Sequence, residues 1–137
     1  MRAAQARDAA GKMSISIQVA VDGRVLRGRL FTTVSALKLV DRLPVELEME
    51  RRGGEYMGKI GVPLGLWLAP EAREALRPGE LALWPEANAL RMALGESSSA
   101  PANPIGVLED VQALRELGPK VRVRIEPVDG PGRGATG

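Results

Sequence analysis

A strict alternation of apolar and polar residues over positions 14–21 restricts the fold of this chain more than any other feature. Every second residue is β-branched and aliphatic, and the residues between them are small or polar. Because successive side chains of a strand point to opposite faces, this pattern predicts a strand with one buried face. Asp22-Gly23 follows at once and indicates a two-residue hairpin turn. The return strand is expected over residues 25–30.

The alternation recurs over residues 45–50 and 121–126, so two further half-buried strands are expected there. Glutamates occupy the polar face of the first of these strands, and arginines occupy most of that face in the last one. Alternating glutamates are typical of an exposed strand face, and no oxygen-rich loop completes a cation site around them. We therefore expect the acidic face to meet water or nearby arginines, and no metal site is predicted.

Residues 78–95 predict two adjacent strands and their connection. An apolar run follows the Pro78-Gly79 turn signal and stops at Pro85, because proline cannot donate to a strand ladder. Residues 88–94 then alternate, with Arg91 on the face opposite the larger apolar residues. Residues 55–62 predict another strand, which contains the single tyrosine of the chain.

Two helices are expected between the strands. The first begins at Thr32 or Thr33, whose hydroxyl can cap it, and ends at Leu43 because the ring of Pro44 disfavours helical geometry there. The second covers residues 109–117, where acidic residues at the start precede apolar residues at helical spacing.

The remaining connections predict irregular structure. Residues 96–104 are mostly serine, alanine, proline and asparagine, which predicts a surface loop. Pro70 can begin one helical turn that continues to residue 76. Trp67 is expected to pack as a plug under the loop that contains it.

The length of 137 residues suits one domain with one core. We expect a flexible N-terminal arm over residues 1–12, a single domain over residues 13–127 and a flexible tail over residues 128–137. The arm carries three basic residues and one acidic residue, which accounts for the formal net charge of +2. The neutral balance of the remainder, together with few aromatic residues, disfavours a nucleic acid as partner.

The composition removes many kinds of active site. The chain contains neither cysteine nor histidine, so it has no disulfide, no thiol nucleophile, no imidazole base and no zinc site of the usual types. No catalytic residues and no cofactor are predicted. No apolar run approaches the ~18 residues that a membrane helix needs, and we expect no membrane partner and a cytoplasmic location.

About eight strands and two helices favour a closed antiparallel β-barrel whose ends are covered by the helices. The order of these elements carries several short motifs: Gly53-Gly54-Glu55-Tyr56, Gly79-Glu80 through Trp84-Pro85, Asn88-Ala89-Leu90 through Leu94-Gly95, Pro101-Ala102 and Ile105-Gly106. With these motifs, residues 14–127 resemble the small prokaryotic cyclophilin-like family of uncharacterised β-barrel proteins. The resemblance implies a mainly β, cyclophilin-like barrel. The chain departs from the family between Ala102 and Ile105, where it is shorter, and at Glu86-Ala87, where the family has proline and glycine.

The resemblance does not bring the peptidyl-prolyl isomerase activity of true cyclophilins with it. Their proline pocket uses a Phe-His-Arg stretch with further aromatic, Gln and His positions. This chain has no histidine, and its one phenylalanine, Phe31, precedes the first predicted helix. Without the donor that stabilises the twisted amide, most of the catalysis should be lost.

We therefore predict a non-catalytic barrel that binds a small molecule or short peptide. Planar or polar-tipped side chains on the motif-bearing strands and their loops suggest the site: Tyr56, Trp84, Asn88, Arg91 and Asn103. Two alternatives are a weak or divergent peptidyl-prolyl isomerase and a protein–protein interaction module, and the sequence leaves a homo-oligomer open. In a purely structural interpretation, Trp84 packs under a helix, Arg91 is solvated and the asparagines form turns.

Overall fold

The structure is a computed structural model that describes residues 5–7 and 13–128. These residues form ten β-strands, one α-helix and two short 3-10 helices. The strands are β1 (Gln5–Arg7), β2 (Met13–Val21), β3 (Arg24–Phe31), β4 (Val45–Arg52), β5 (Glu55–Lys59), β6 (Arg73–Leu76), β7 (Glu80–Trp84), β8 (Ala89–Ala93), β9 (Ser97–Leu108) and β10 (Lys120–Pro127). The helix α1 covers Val34–Val40, and the 3-10 helices cover Pro85–Ala87 and Val111–Leu114.

Eight of the strands pair in a ring, in the order β2, β10, β4, β5, β8, β7, β9 and β3, and β3 pairs back with β2. All of these pairings are antiparallel. The β2–β3 hairpin turns at Asp22-Gly23, where both residues have positive φ, as the favoured two-residue turns require. The prediction of a mainly β, antiparallel fold is confirmed.

The core fills the interior of the ring with hydrophobic side chains from every one of its strands, and the contribution of β5 is Tyr56. The alternation of residues 14–21 has the predicted result, since the four aliphatic residues of β2 from Ile15 to Val21 are at most 3 % exposed. Leu39 of α1 and Leu114 of the second 3-10 helix are completely buried and extend the same core. The periodic apolar positions therefore identified the inner face of the sheet.

A second, smaller layer covers part of the outer face of the ring. β6 pairs with the first half of β9, with Leu76 opposite Ser97 and Arg73 opposite Ala102. The alanines of β7 and β8 that point away from the ring interior pack against this pair in a core of their own. That core consists of Leu76, Ala82, Ala93 and Ala102, with Trp84 packed against it.

Two predicted irregular segments are strands, so both predictions are wrong. Residues 73–76 of the expected helical turn form β6, and most of the expected surface loop at residues 96–104 belongs to the twelve-residue β9. Small turn-forming residues have low intrinsic strand preference, but cross-strand neighbours and burial override it. Here the two segments supply each other's backbone partners.

The helical predictions are correct only in part. Thr33 caps α1, and its Oγ1 accepts a hydrogen bond from the backbone N–H of Ala36 at 3.3 Å. The helix ends at Val40 and not at Leu43. The second predicted helix is wrong: Asp110 has positive φ, and only one short 3-10 helix follows it. The described part of the chain thus has one α-helix where two were expected.

Most of the predicted N-terminal arm and C-terminal tail lies outside the described residues. β1 lies inside the predicted flexible arm and pairs with β2 from Gln5 opposite Ile15 to Arg7 opposite Met13. Residues 1–4, 8–12 and 129–137 lie outside the described residues, so the arm and the tail stay predictions. Within residues 5–7 and 13–128, no helix has the length and apolar character needed to cross a membrane.

Candidate functional site

Arg91 lies on the outward face of β8, beneath the β6–β9 layer, and is completely buried. Its guanidinium forms a bidentate ion pair with Glu55 of β5, with Nε 2.7 Å from Oε1 and Nη2 2.9 Å from Oε2. It also donates to the backbone carbonyls of Ala100, at 2.7 Å, and Glu74, at 3.0 Å. Arg91 is therefore not solvated. Its donors connect the ring to both strands of the outer layer.

The carboxylate of Glu55, which is 1 % exposed, is equally well bonded. Besides Arg91, it accepts hydrogen bonds at Oε2 from the hydroxyls of Ser97, at 2.6 Å, and Ser99, at 3.1 Å. Both serines belong to the segment that was expected to be a loop. Because a buried charge is tolerated only when it is paired and hydrogen-bonded, these contacts explain why this polar segment packs as a strand.

The surroundings of Glu55 also shift its acidity. Burial by itself would raise the pKa of this carboxyl group. The hydrogen bonds from Arg91, Ser97 and Ser99, together with the charge of Arg91, outweigh burial and hold the pKa below its ordinary value of 4.5. Glu80 follows the same rule, since its bonds to Arg73 and to a backbone N–H lower its pKa in spite of partial burial.

We expect acid to weaken the protein through these carboxylates. A group whose pKa is lowered by folding contributes its full stability above the unfolded pKa and loses it as the pH falls toward the folded one. The free energy of unfolding, measured by urea denaturation, should therefore decline as the pH falls below the ordinary value of 4.5. Glu55→Gln should make this decline shallower, whereas Glu109→Gln, at an exposed position, should not. Equal slopes for wild type and Glu55→Gln would contradict the expectation.

The chain has two asparagines, and both hold the connection between β5 and β6. Asn88 has positive φ, and its Oδ1 accepts a hydrogen bond from the N–H of Leu64 at 3.1 Å. Its Nδ2 donates to the carbonyls of Ile60, at 3.0 Å, and Val62, at 2.9 Å. Asn88 thus fixes the first part of the connection to the bend between β7 and β8.

Asn103 of β9, which is 1 % exposed, holds the later part. Its Nδ2 donates to the carbonyl of Trp67 at 2.7 Å and to the hydroxyl of Ser35 at 2.9 Å. Its Oδ1 accepts from the N–H of Ala69 at 2.8 Å. One buried amide therefore attaches this loop to both β9 and α1.

The loop held in this way presents its apolar residues to solvent. Trp67 is 79 % exposed and Leu68 is 60 % exposed, so the prediction that Trp67 is a plug under the loop is wrong. The ammonium of Lys38, on α1, lies 4.7 Å from the centre of the Trp67 ring system and donates to the carbonyl of Gly65. The backbone of the Trp67 loop is therefore anchored, while most of the indole surface is exposed to solvent.

An apolar cleft of about 320 Å³ lies beside Trp67. Two indoles and two prolines dominate its lining, which consists of Leu66, Trp67, Leu68, Trp84, Pro85, Glu86 and Pro101. Trp67 also lines a neighbouring cleft of about 280 Å³, together with Val34 and Lys38. Such a lining, with several apolar groups and a single charge, suits a planar or apolar ligand.

The structure does not bring the five predicted site residues into one groove. Trp84 lines the cleft, and Asn88 and Asn103 position the loop that forms its other side. Tyr56 is completely buried, and its hydroxyl donates to the carbonyl of Gly118 at 2.6 Å. Arg91 belongs to the buried ion pair. Direct ligand contact by these residues stays a prediction.

Sequence reasoning missed Trp67 as an exposed residue and Glu55 as the partner of Arg91. The first omission had a visible signal. Leu66-Trp67-Leu68 lies between Gly65 and Pro70, and three consecutive apolar side chains in so short a loop cannot all point inward. The second had none, because Glu55 and Arg91 are 36 residues apart.

Arginines on two of the strands are partly neutralised within the chain. Arg24 pairs with Glu116 at 2.7 Å. Arg124 pairs with Glu46 at 2.6 Å and with Glu126 at 2.9 Å. The expectation that the acidic face of β4 meets water or nearby arginines is confirmed at Glu46.

Comparison with known proteins identifies a family and solved structures that are similar to this chain. The model of the cyclophilin-like family matches residues 19–126. No curated protein matches the sequence significantly. Solved structures that share the fold include the following two. The hypothetical protein AF2241 from Archaeoglobus fulgidus has a TM-score of 0.68 and 13 % identity, over 88 % of this chain and all of its own. McbB, solved in complex with tryptophan, has a TM-score of 0.64 and 20 % identity, over 81 % of this chain but 44 % of its own.

At these identities the two structures support the fold and nothing further. The family model is the stronger finding, because it spans most of the described residues and nearly all of the ring. The chain belongs to the cyclophilin-like family.

Proposed function

We propose that the protein is a non-catalytic cyclophilin-like barrel that binds a small planar molecule or a short peptide in the cleft between Trp67 and Trp84. The observation that carries the proposal is the exposure of Trp67 on a loop whose backbone is anchored by a buried asparagine. An exposed indole contributes little to folding, whereas a large amphipathic ring is the usual anchor of a binding site.

The anchoring of the loop also suits binding. The side-chain amides of Asn88 and Asn103 together make six hydrogen bonds, five of them to the loop and the strand end before it. A loop ordered before the ligand arrives avoids part of the entropic cost of association. The second indole, Trp84, extends from β7 and is held against the small outer core. The positions of Trp67 and Trp84, the two indoles that line the cleft, are therefore both fixed by contacts with the rest of the fold.

The fold comparison supports the same class of ligand. McbB, whose fold is similar, was solved in complex with tryptophan. A planar aromatic molecule of this kind matches a cleft lined by two indoles, because aromatic rings prefer offset-stacked and edge-to-face contacts with one another. Proline-containing peptides are the second class, since the prolines and indoles offer the flat apolar surface that such peptides contact.

The cleft lacks the groups that would make it an enzyme of a familiar kind. Histidine and cysteine do not occur in the chain, and Glu86 is the single ionisable residue of the lining within residues 5–7 and 13–128. A carboxylate alone does not donate to a twisted peptide carbonyl as isomerisation requires. We therefore expect proline peptides to bind without faster isomerisation, which a coupled isomerisation assay tests directly.

Replacing Trp67 with alanine should weaken binding in the cleft at least about tenfold, as expected for a central aromatic contact. The test measures thermal stabilisation and calorimetric titration with tryptophan, indole and short alanine–proline peptides. Val25→Ala is the matched control, because Val25 is 59 % exposed and does not line the cleft. The proposal fails if saturating amounts of these compounds stabilise nothing, or if Trp67→Ala binds them as tightly as wild type does.

A further inference from the structure

Glu86 is the single charged residue among the described residues that line the Trp67–Trp84 cleft. It lies in the middle of the 3-10 helix Pro85–Ala87, between a proline at the first position and Asn88 with positive φ at the end. The N–H of Asn88 donates to the carbonyl of Pro85 at 3.1 Å and closes this turn. The backbone that carries the Glu86 side chain is therefore well defined at the mouth of the cleft.

Within the described part of the chain, the Glu86 carboxylate is exposed and makes no ion pair or hydrogen bond. Two other acidic residues of the ring differ in this respect. Glu80 pairs with Arg73, and Glu50 lies 3.6 Å from Arg52. On its other side, Glu86 borders a broader hollow of about 620 Å³ in which Glu48 and Lys59 also lie. Of the cleft residues that the structure describes, none is a basic group that could neutralise Glu86.

A contact in the neighbouring cleft shows that the indole of Trp67 accepts a cation. In the neighbouring cleft, Lys38 places its ammonium 4.7 Å from the centre of the ring system, within the range of a cation–π contact. Among the described residues that line the Trp67–Trp84 cleft, none is basic. The Glu86 carboxylate therefore has no counter-charge from this lining, and a carboxylate beside two indoles is a combination that recognises organic ammonium groups.

We propose that the ligand of the cleft is an organic cation, with an apolar or planar body between the indoles and an amine or ammonium group at Glu86. This inference rests on the proposed function and adds the charge of the ligand to it. The Glu86 carboxylate is exposed, so solvent weakens its attraction for a cation. Glu86 should therefore set the preference for cationic over neutral ligands, while most of the affinity comes from the apolar contacts.

Three indole derivatives with the same ring test the charge preference: tryptamine, which is cationic, 3-ethylindole, which is neutral, and indole-3-propionate, which is anionic. Calorimetric titration of the full chain at neutral pH and low salt should give tighter binding of tryptamine than of 3-ethylindole by about fivefold, and weaker binding of the anion. Added salt should reduce the preference, since the Debye length falls to about 8 Å at physiological ionic strength.

Glu86→Gln should bring the ratio of the tryptamine and 3-ethylindole affinities close to one, and Glu86→Lys should favour the anion. Glu71→Gln is the control, because Glu71 is exposed and lines the neighbouring cleft only. Binding that depends on Trp67 but has no charge preference, or a preference that survives Glu86→Gln, overturns the cation inference alone. Failure of all three probes overturns the cation inference, and if the alanine–proline peptides also fail to bind, the proposed cleft is overturned with it.

Discussion

Replacing Arg91 with alanine is expected to lower the free energy of unfolding by about 3–5 kcal/mol. The variant removes four hydrogen bonds and leaves the Glu55 carboxylate buried without its counter-charge. Two backbone carbonyls of the outer layer also lose their donor. Urea denaturation at neutral pH measures the loss, and hydrogen exchange at residues 97–100 should show that the β6–β9 layer opens before the ring.

Arg27→Ala is the matched control, since Arg27 is an exposed arginine on β3 and its removal should change stability by no more than about 0.5 kcal/mol. A loss for Arg91→Ala as small as that of the control would contradict a structural ion pair. The double variant Arg91→Met with Glu55→Leu supplies a second test. Apolar replacement of both partners should cost less than the sum of the two single replacements, because no unpaired charge remains.

Replacing Asn103 with alanine is expected to cost about 2–4 kcal/mol and to loosen the Trp67 loop more than the rest of the chain. The variant leaves the carbonyl of Trp67, the N–H of Ala69 and the hydroxyl of Ser35 without their partner. Ligand affinity in the cleft should fall as well, although Asn103 does not line the cleft. Hydrogen exchange of the Ala69 amide reports the loosening, and titration with tryptophan reports the affinity.

Asn103→Asp distinguishes the donor from the acceptor in this arrangement. Aspartate keeps an oxygen for the N–H of Ala69 but turns a second oxygen toward the carbonyl of Trp67, so the loop should be released although the shape is conserved. Gln112→Ala, which removes an exposed amide, is the control. If Asn103→Asp retained wild-type exchange at Ala69 and wild-type affinity, the amide would not be what holds the loop.

Most strands of the ring followed from sequence, because the alternation of apolar residues is a local property. The main exception is β9, because residues 97–104 were expected to form a loop. In β2, β4 and β10, every second side chain is aliphatic, and a strand necessarily directs these to one face. The Asp22-Gly23 turn and the Thr33 cap were equally local and equally predictable. The motifs within residues 53–106 predicted the cyclophilin-like family, and the match over residues 19–126 confirms that prediction.

The outer layer could not be predicted in the same way. Residues 97–104 have little intrinsic preference for a strand, and they form one because β6 pairs with them and Glu55 accepts the hydroxyls of Ser97 and Ser99. The prediction of a helix over residues 109–117 was wrong because it relied on the spacing of apolar residues. That spacing did not reveal that Asp110 has a positive φ, which interrupts the helix.

The amino-acid sequence by itself determined which faces of the strands are apolar, and hence that they must close around a core. Apart from the β2–β3 and β7–β8 pairs, which the sequence predicts, tertiary structure alone decided which strands become neighbours, and it places β8 between β5 and β7. That order places Arg91 against Glu55, attaches the Trp67 loop to Asn103 and leaves Trp67 and Trp84 beside one cleft. Contacts between residues far apart in the chain depend on ring closure, and no local pattern encodes which ones will meet.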